Sequence, residues 1–170
     1  MGGMKLAACA LPLALFATQA AAQEAHVWSV ETPKDADAAL RYAIPDTDAQ
    51  PVAFSCVRKS GQVKVFAQLA REIGVKMEAS GLWVDKAGVR GPWPMSVILT
   101  SDSASATLRG QVHVDEATGG SLAIAEFSTA APVAEAFRKT GLISLKAAGE
   151  TVQPPPAPKS MVRKFLGACK

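Results

Sequence analysis

PVAFSCVRKSGQVKVF, Pro51 to Phe66, contains two short alternating runs joined by a turn. In the first run Val52, Phe54 and Cys56 alternate with Ala53, Ser55 and Val57. An extended backbone therefore puts the cysteine on the same face as a valine and a phenylalanine. Lys59-Ser60-Gly61 makes a tight connection to Val63-Lys64-Val65-Phe66, so the two runs read as a β-hairpin. A cysteine placed on the apolar face of a strand raises the question of its partner, and the compartment decides which answer applies.

The chain opens MGGMK and continues LAACALPLALFA, Leu6 to Ala17, with small residues at Ala20-Ala21-Ala22 before Gln23. One positive charge, an apolar run too short to span a bilayer and an A-x-A site form a secretory signal. Leu6-Ala7-Ala8-Cys9 resembles a lipoprotein box but precedes the apolar run instead of following it, so Cys9 leaves with the signal. Residues 1–22 are expected to be cleaved near Ala22, leaving a periplasmic or secreted chain with no stable membrane insertion.

Two cysteines then remain, Cys56 and Cys169, and an even count in an oxidising compartment favours a disulfide. The C-terminal end fits that pairing. Pro154-Pro155-Pro156-Ala157-Pro158 is a stiff tether, residues 154–158, and Ser160 is expected to cap a helix within 159–170. Met161, Phe165 and Cys169 fall at i, i+4 and i+8, with Val162 and Leu166 beside them, so Cys169 lies on the apolar face. A helix this short is not stable alone. A bridge across more than a hundred residues contributes about 4–5 kcal/mol by chain entropy.

Residues 23–153 read as a β-rich domain. His26 to Val30 and Leu40 to Ile44 alternate at period two, and Pro45-Asp46-Thr47-Asp48 is turn chemistry leading to the Cys56 strand. Further strand signals run at 82–84, 96–100, 106–114, 121–127 and 142–145, with Gly119-Gly120 between two of them. One helix interrupts. Pro132 suits its first position, Glu135 and Lys139 pair at i, i+4, Val133 and Phe137 share a face, and Gly141 stops it. The unit 132–145 is expected to pack over an end of the sheet. Strands about ten residues apart predict an antiparallel β-sandwich or a partly closed barrel.

Trp28-x-Val30, Leu40-x-Tyr42, Pro45-x-x-Asp48, Phe54-Ser55-Cys56, Phe137…Gly141-Leu142 and Phe165-Leu166-x-x-Cys169 together resemble small exported proteins of Gram-negative bacteria. The resemblance implies an exported fold of this kind and supplies no catalytic residue. It leaves the region from Trp83 to Pro94 uncovered.

Charge and motif content narrow the function classes. The formal charge is +3, too small to imply a polyanionic partner, and the basic residues are scattered without an aromatic-interleaved stripe. Nucleic-acid binding is therefore not expected. Only His26 and His113 could complete a metal site with the cysteines, and no ligand spacing supports one. No cofactor motif is found. Asp46 and Asp48 lack the glycine and closing Glu of a calcium loop, and Ser101-Asp102-Ser103 reads as a turn.

A small envelope-directed hydrolase or lyase would have to use His113, with Asp115 on the same strand face, or His26. No serine context resembles a nucleophile elbow, and a non-enzymatic binding or accessory module for a protein or envelope component is the preferred reading. GLWVDKAGVRGPWPM, Gly81 to Met95, supplies its candidate contact surface in Trp83, Arg90 and Trp93. Gly91-Pro92-Trp93-Pro94 would be a stiff turn holding an aromatic near the surface. Tryptophan is an ordinary core residue, however, and the favoured reading of the pair is that both cap the ends of the core.

Overall fold

The computed structural model describes residues 25–170; the expected signal segment lies outside them. Alternating sequences become strands β1 (Val27–Glu31), β2 (Ala38–Ala43), β3 (Val52–Cys56) and β4 (Gln62–Leu69). Two very short strands follow, β5 (Lys76–Met77) and β6 (Trp83–Val84), then β7 (Trp93–Ser101), β8 (Ala104–Asp115) and β9 (Gly120–Ser128). Helix α1 (Pro132–Thr140), strands β10 (Ser144–Ala147) and β11 (Glu150–Val152), and helix α2 (Lys159–Cys169) complete the chain.

Nine strands form one antiparallel sheet in the order β1-β2-β3-β4-β9-β8-β7-β10-β11, curled into a half-barrel. Of the two architectures that the strand spacing allows, this is the partly closed barrel. The hairpin within Pro51–Phe66 is present, with Phe54 opposite Val65 and Ser55 opposite Lys64. Val52, Phe54 and Cys56 are all buried, as their alternation requires. Both helices fill the concave side. Phe54 is the hub there, its ring centroid 5.3 Å from Phe137 of α1, 6.3 Å from Phe165 of α2 and 6.4 Å from Phe127 of β9.

Cys56 and Cys169 are bonded, with Cα atoms 5.7 Å apart across 113 residues of sequence. Val162, Phe165, Leu166 and Cys169 are buried together, so the C-terminal helix docks by the expected face. Its start differs. Pro158 is the N-cap, its carbonyl accepting from the amides of Met161 and Val162, and no side chain caps the helix. Ser160 falls inside the first turn instead of at the cap, because proline has no amide hydrogen to satisfy and a fixed φ suited to helix entry.

The tether is likewise part of the packed structure. Pro154 and Ala157 are buried, the Ala157 amide donates to Gly141 at 2.8 Å, and Trp28 Nε1 donates to the Pro155 carbonyl at 2.9 Å. Gly141 ends α1 with φ 76°, and an added Cβ would run into the Ala157 carbonyl.

The expectation for 132–145 also needs correction. Helix α1 lies on the concave face against β7, β8 and α2, while β10 enters the sheet beside β7. The edge amides of β7 are best satisfied by another strand, so Ser144 to Lys146 pairs there instead of covering an end.

Candidate functional site

The segment between β4 and β7 forms a small lid of its own. Strands β5 and β6 pair through Lys76–Val84 and Met77–Trp83, and Val84 bridges to Arg90. Asp85 organises its tip by accepting from the amides of Ala87 and Val89, both at 2.9 Å. This chemistry of a carboxylate holding nearby backbone amides is what favours Asp in turns.

Each of the three residues singled out in the sequence is used to fasten this lid. Trp93 is 6% exposed. It begins β7 and points inward in phase with Val97 and Leu99, and its Nε1 donates to the Val89 carbonyl at 3.0 Å. The stiff turn does not hold this aromatic near the surface, because strand alternation carries the side chain to the inner side. Trp83 is half-buried and donates from Nε1 to Glu116 at 3.0 Å, tying the lid to the turn between β8 and β9. Arg90 pairs with Glu78 through Nε and Nη2, each 2.9 Å from the same oxygen. Trp83 and Trp93 are brought together: with Leu82, Gly91, Pro92, His113 and Val114 they line a cleft of about 190 Å³.

The lid also carries exposed apolar side chains. Val75, Met77, Leu82 and Val89 are between 43% and 54% exposed. Among the described residues they are four of the eight large apolar side chains that stand exposed. Sequence reasoning missed them, since Met77 lies in β5, a two-residue strand with no readable period, and the other three lie in the connections around it. The available signal was the aliphatic content of Val75 to Val89, which exceeded what a turn requires.

The histidines are placed apart. Four strands separate β8, which carries His113, from β1, beside which His26 stacks on Tyr42 at 5.3 Å. His113 Nε2 is buried without a hydrogen-bond partner. Asp115, two residues away, accepts from Gln68, Thr118 and the Ala117 amide, not from His113. It anchors the β8–β9 turn. Among the described residues no group of three or more His, Cys, Asp or Glu side chains is gathered as a metal site would need, and no helix is long and apolar enough to cross a membrane.

No protein-family model matches the chain, and no match is found among curated proteins or among solved structures.

Proposed function

We propose that this is an exported, non-enzymatic binding or accessory module that engages a protein partner through the exposed apolar side chains of its lid. The observation that carries the reading is the concentration of exposed Val75, Met77, Leu82 and Val89 on one short segment. A cluster of aliphatic side chains in water costs free energy that a partner recovers by covering it. Three polar contacts meanwhile hold the lid's shape, Trp83–Glu116, Arg90–Glu78 and Trp93–Val89. A contact surface with its geometry already fixed loses less entropy on association.

Export to the periplasm or beyond is part of the same proposal. It rests on the signal-like start, the Cys56–Cys169 bond and the resemblance to small exported Gram-negative proteins.

The test is a pair of substitutions, Leu82→Ser and Met77→Ser, in protein crosslinked in the native envelope and analysed by mass spectrometry. The reading expects at least one protein captured by the parent chain to be lost from the double variant. The variant's melting temperature should stay within about 2 °C of the parent, as surface changes usually do. Capture of the same proteins by both chains would remove the lid as the contact surface.

A further inference from the structure

The convex face of the sheet carries a hollow of about 530 Å³, lined by no residue of the lid. That volume lies within the usual range of ligand sites. Its shape follows from register. Arg41, Ala53 and Phe66 stand side by side on β2, β3 and β4. They point outward, since their chain neighbours Leu40, Val52, Phe54, Val65 and Ala67 are buried on the inner face. Ala39 sits opposite Ser55 one step along. Three small side chains, Ala39, Ala53 and Ser55, thus floor a trough. The Arg41 and Phe66 side chains wall it, two strand spacings apart, or about 10 Å.

One end of the trough is framed by Asp48 and Gln50 from the loop after β2, and by Gln68. Gln68 Nε2 donates to the Asp48 carbonyl at 3.3 Å and to Asp115 at 3.1 Å, which fixes its amide plane. Arg41 is oriented by Glu31, 3.0 Å from Nη1. Among the described residues no hydrogen bond or ion pair engages the Asp48 carboxylate or the Gln50 amide.

We infer that this hollow binds a saccharide, with a pyranose ring laid against Phe66. The side chains around the trough select that chemistry. Arg41, Asp48 and Gln50 are planar groups that each carry paired donor or acceptor atoms, the arrangement that grips neighbouring hydroxyls, and Gln68, its two N–H groups already used, adds its oxygen as an acceptor. Phe66 offers the apolar surface on which the C–H face of a sugar ring rests.

The sheet argues against a peptide. Strands β2, β3 and β4 are each hydrogen-bonded on both sides, so an extended chain lying there finds no free backbone edge to pair with. Charge argues against an anion. Arg41 is already answered by Glu31, and the remaining charges at the rim are the carboxylates of Asp48 and Asp115.

The proposal is independent of the lid reading, and its test separates the two. The purified ¹⁵N-labelled protein is titrated with cellobiose, maltose and N,N′-diacetylchitobiose, with tryptophan amide as the cationic aromatic comparison. At least one disaccharide should give saturable shifts at the amides of Ala53, Ser55 and Phe66. Phe66→Ala and Asp48→Ala should each weaken it about tenfold, the scale of losing one stacked face or one charged hydrogen bond. Leu82→Ser on the lid should leave that affinity unchanged. Asp48 is on an exposed loop, so its variant keeps the test decisive should Phe66→Ala fail to fold. Disaccharide shifts that are absent, or equal in both variants and parent, would overturn the assignment, as would preferential filling of the hollow by tryptophan amide.

Discussion

Glu135 shows how much one side chain on a helix surface can be perturbed by its own turn. Arg138 meets it with two hydrogen bonds, at 2.7 and 2.8 Å, and Lys139 adds a third contact at 3.4 Å. The bond from Arg138 is the main cause, with Lys139 adding to it, of a carboxyl pKa lowered from 4.5 to about 2. The sign of the consequence follows directly. A carboxylate that holds its proton less tightly when folded contributes stability in full above pH 4.5, and loses it as pH falls toward 2. Glu135→Gln should therefore melt below the parent at pH 7, and the difference should close as both are melted at successively lower pH. A gap that stays constant down to pH 2 would mean the charge is not what the helix uses. Lys139 was legible from its i, i+4 spacing. Arg138 at i+3 was equally available in the sequence, and its bidentate geometry makes it the stronger partner.

At the scale of elements, the C-terminal helix is the piece whose stability is least its own. Eleven residues are too few to hold a helix in water, and α2 is kept by its buried face and by Cys169. The bond to Cys56 spans 113 residues, so replacing both cysteines by alanine should lower unfolding free energy by about 3–5 kcal/mol in urea titration. Hydrogen exchange adds the decisive detail. In the double variant the amides of α2 should lose protection before those of β3 and β4. If α2 keeps the protection of β4, packing alone holds it and the clasp is dispensable.

This element was readable because its apolar residues recur at helical spacing and its cysteine count is even. β3 and β4 were readable for the same kind of reason, a period of two written over several residues. β5 and β11 were not, since two or three residues carry no period, and their pairing is decided by the partners that the fold brings to them. The cap at Ser160 was misread because a serine beside a helix is a good local signal, yet the preceding proline already supplied the entry.

Across the whole molecule, what the sequence conceals is anything built from register. Arg41, Ala53 and Phe66 lie far apart along the chain and become the walls and floor of one hollow only when β2, β3 and β4 align. The same holds for the lid, which depends on a residue outside the Phe54-centred core. The Trp93 indole fits where Gly74 and Gly91 leave room: a Cβ built at either would fall within 3.0 Å of its ring. It does not belong to the main buried cluster, so the lid has a small core of its own. Trp93→Ala should then act locally. Truncating a buried tryptophan costs about 3–5 kcal/mol, and here that cost should appear as faster hydrogen exchange across residues 74–92. Protection in β3 and β4, and the far-ultraviolet circular dichroism, should be kept. Uniform loss of protection would instead place Trp93 in the cooperative core. The outcome bears on how binding is tested: a loosened lid no longer presents Val75, Met77, Leu82 and Val89 together, so Trp93→Ala should lose the partner as well. Leu82→Ser with Met77→Ser instead removes half of the contact while leaving the lid that displays the rest in place.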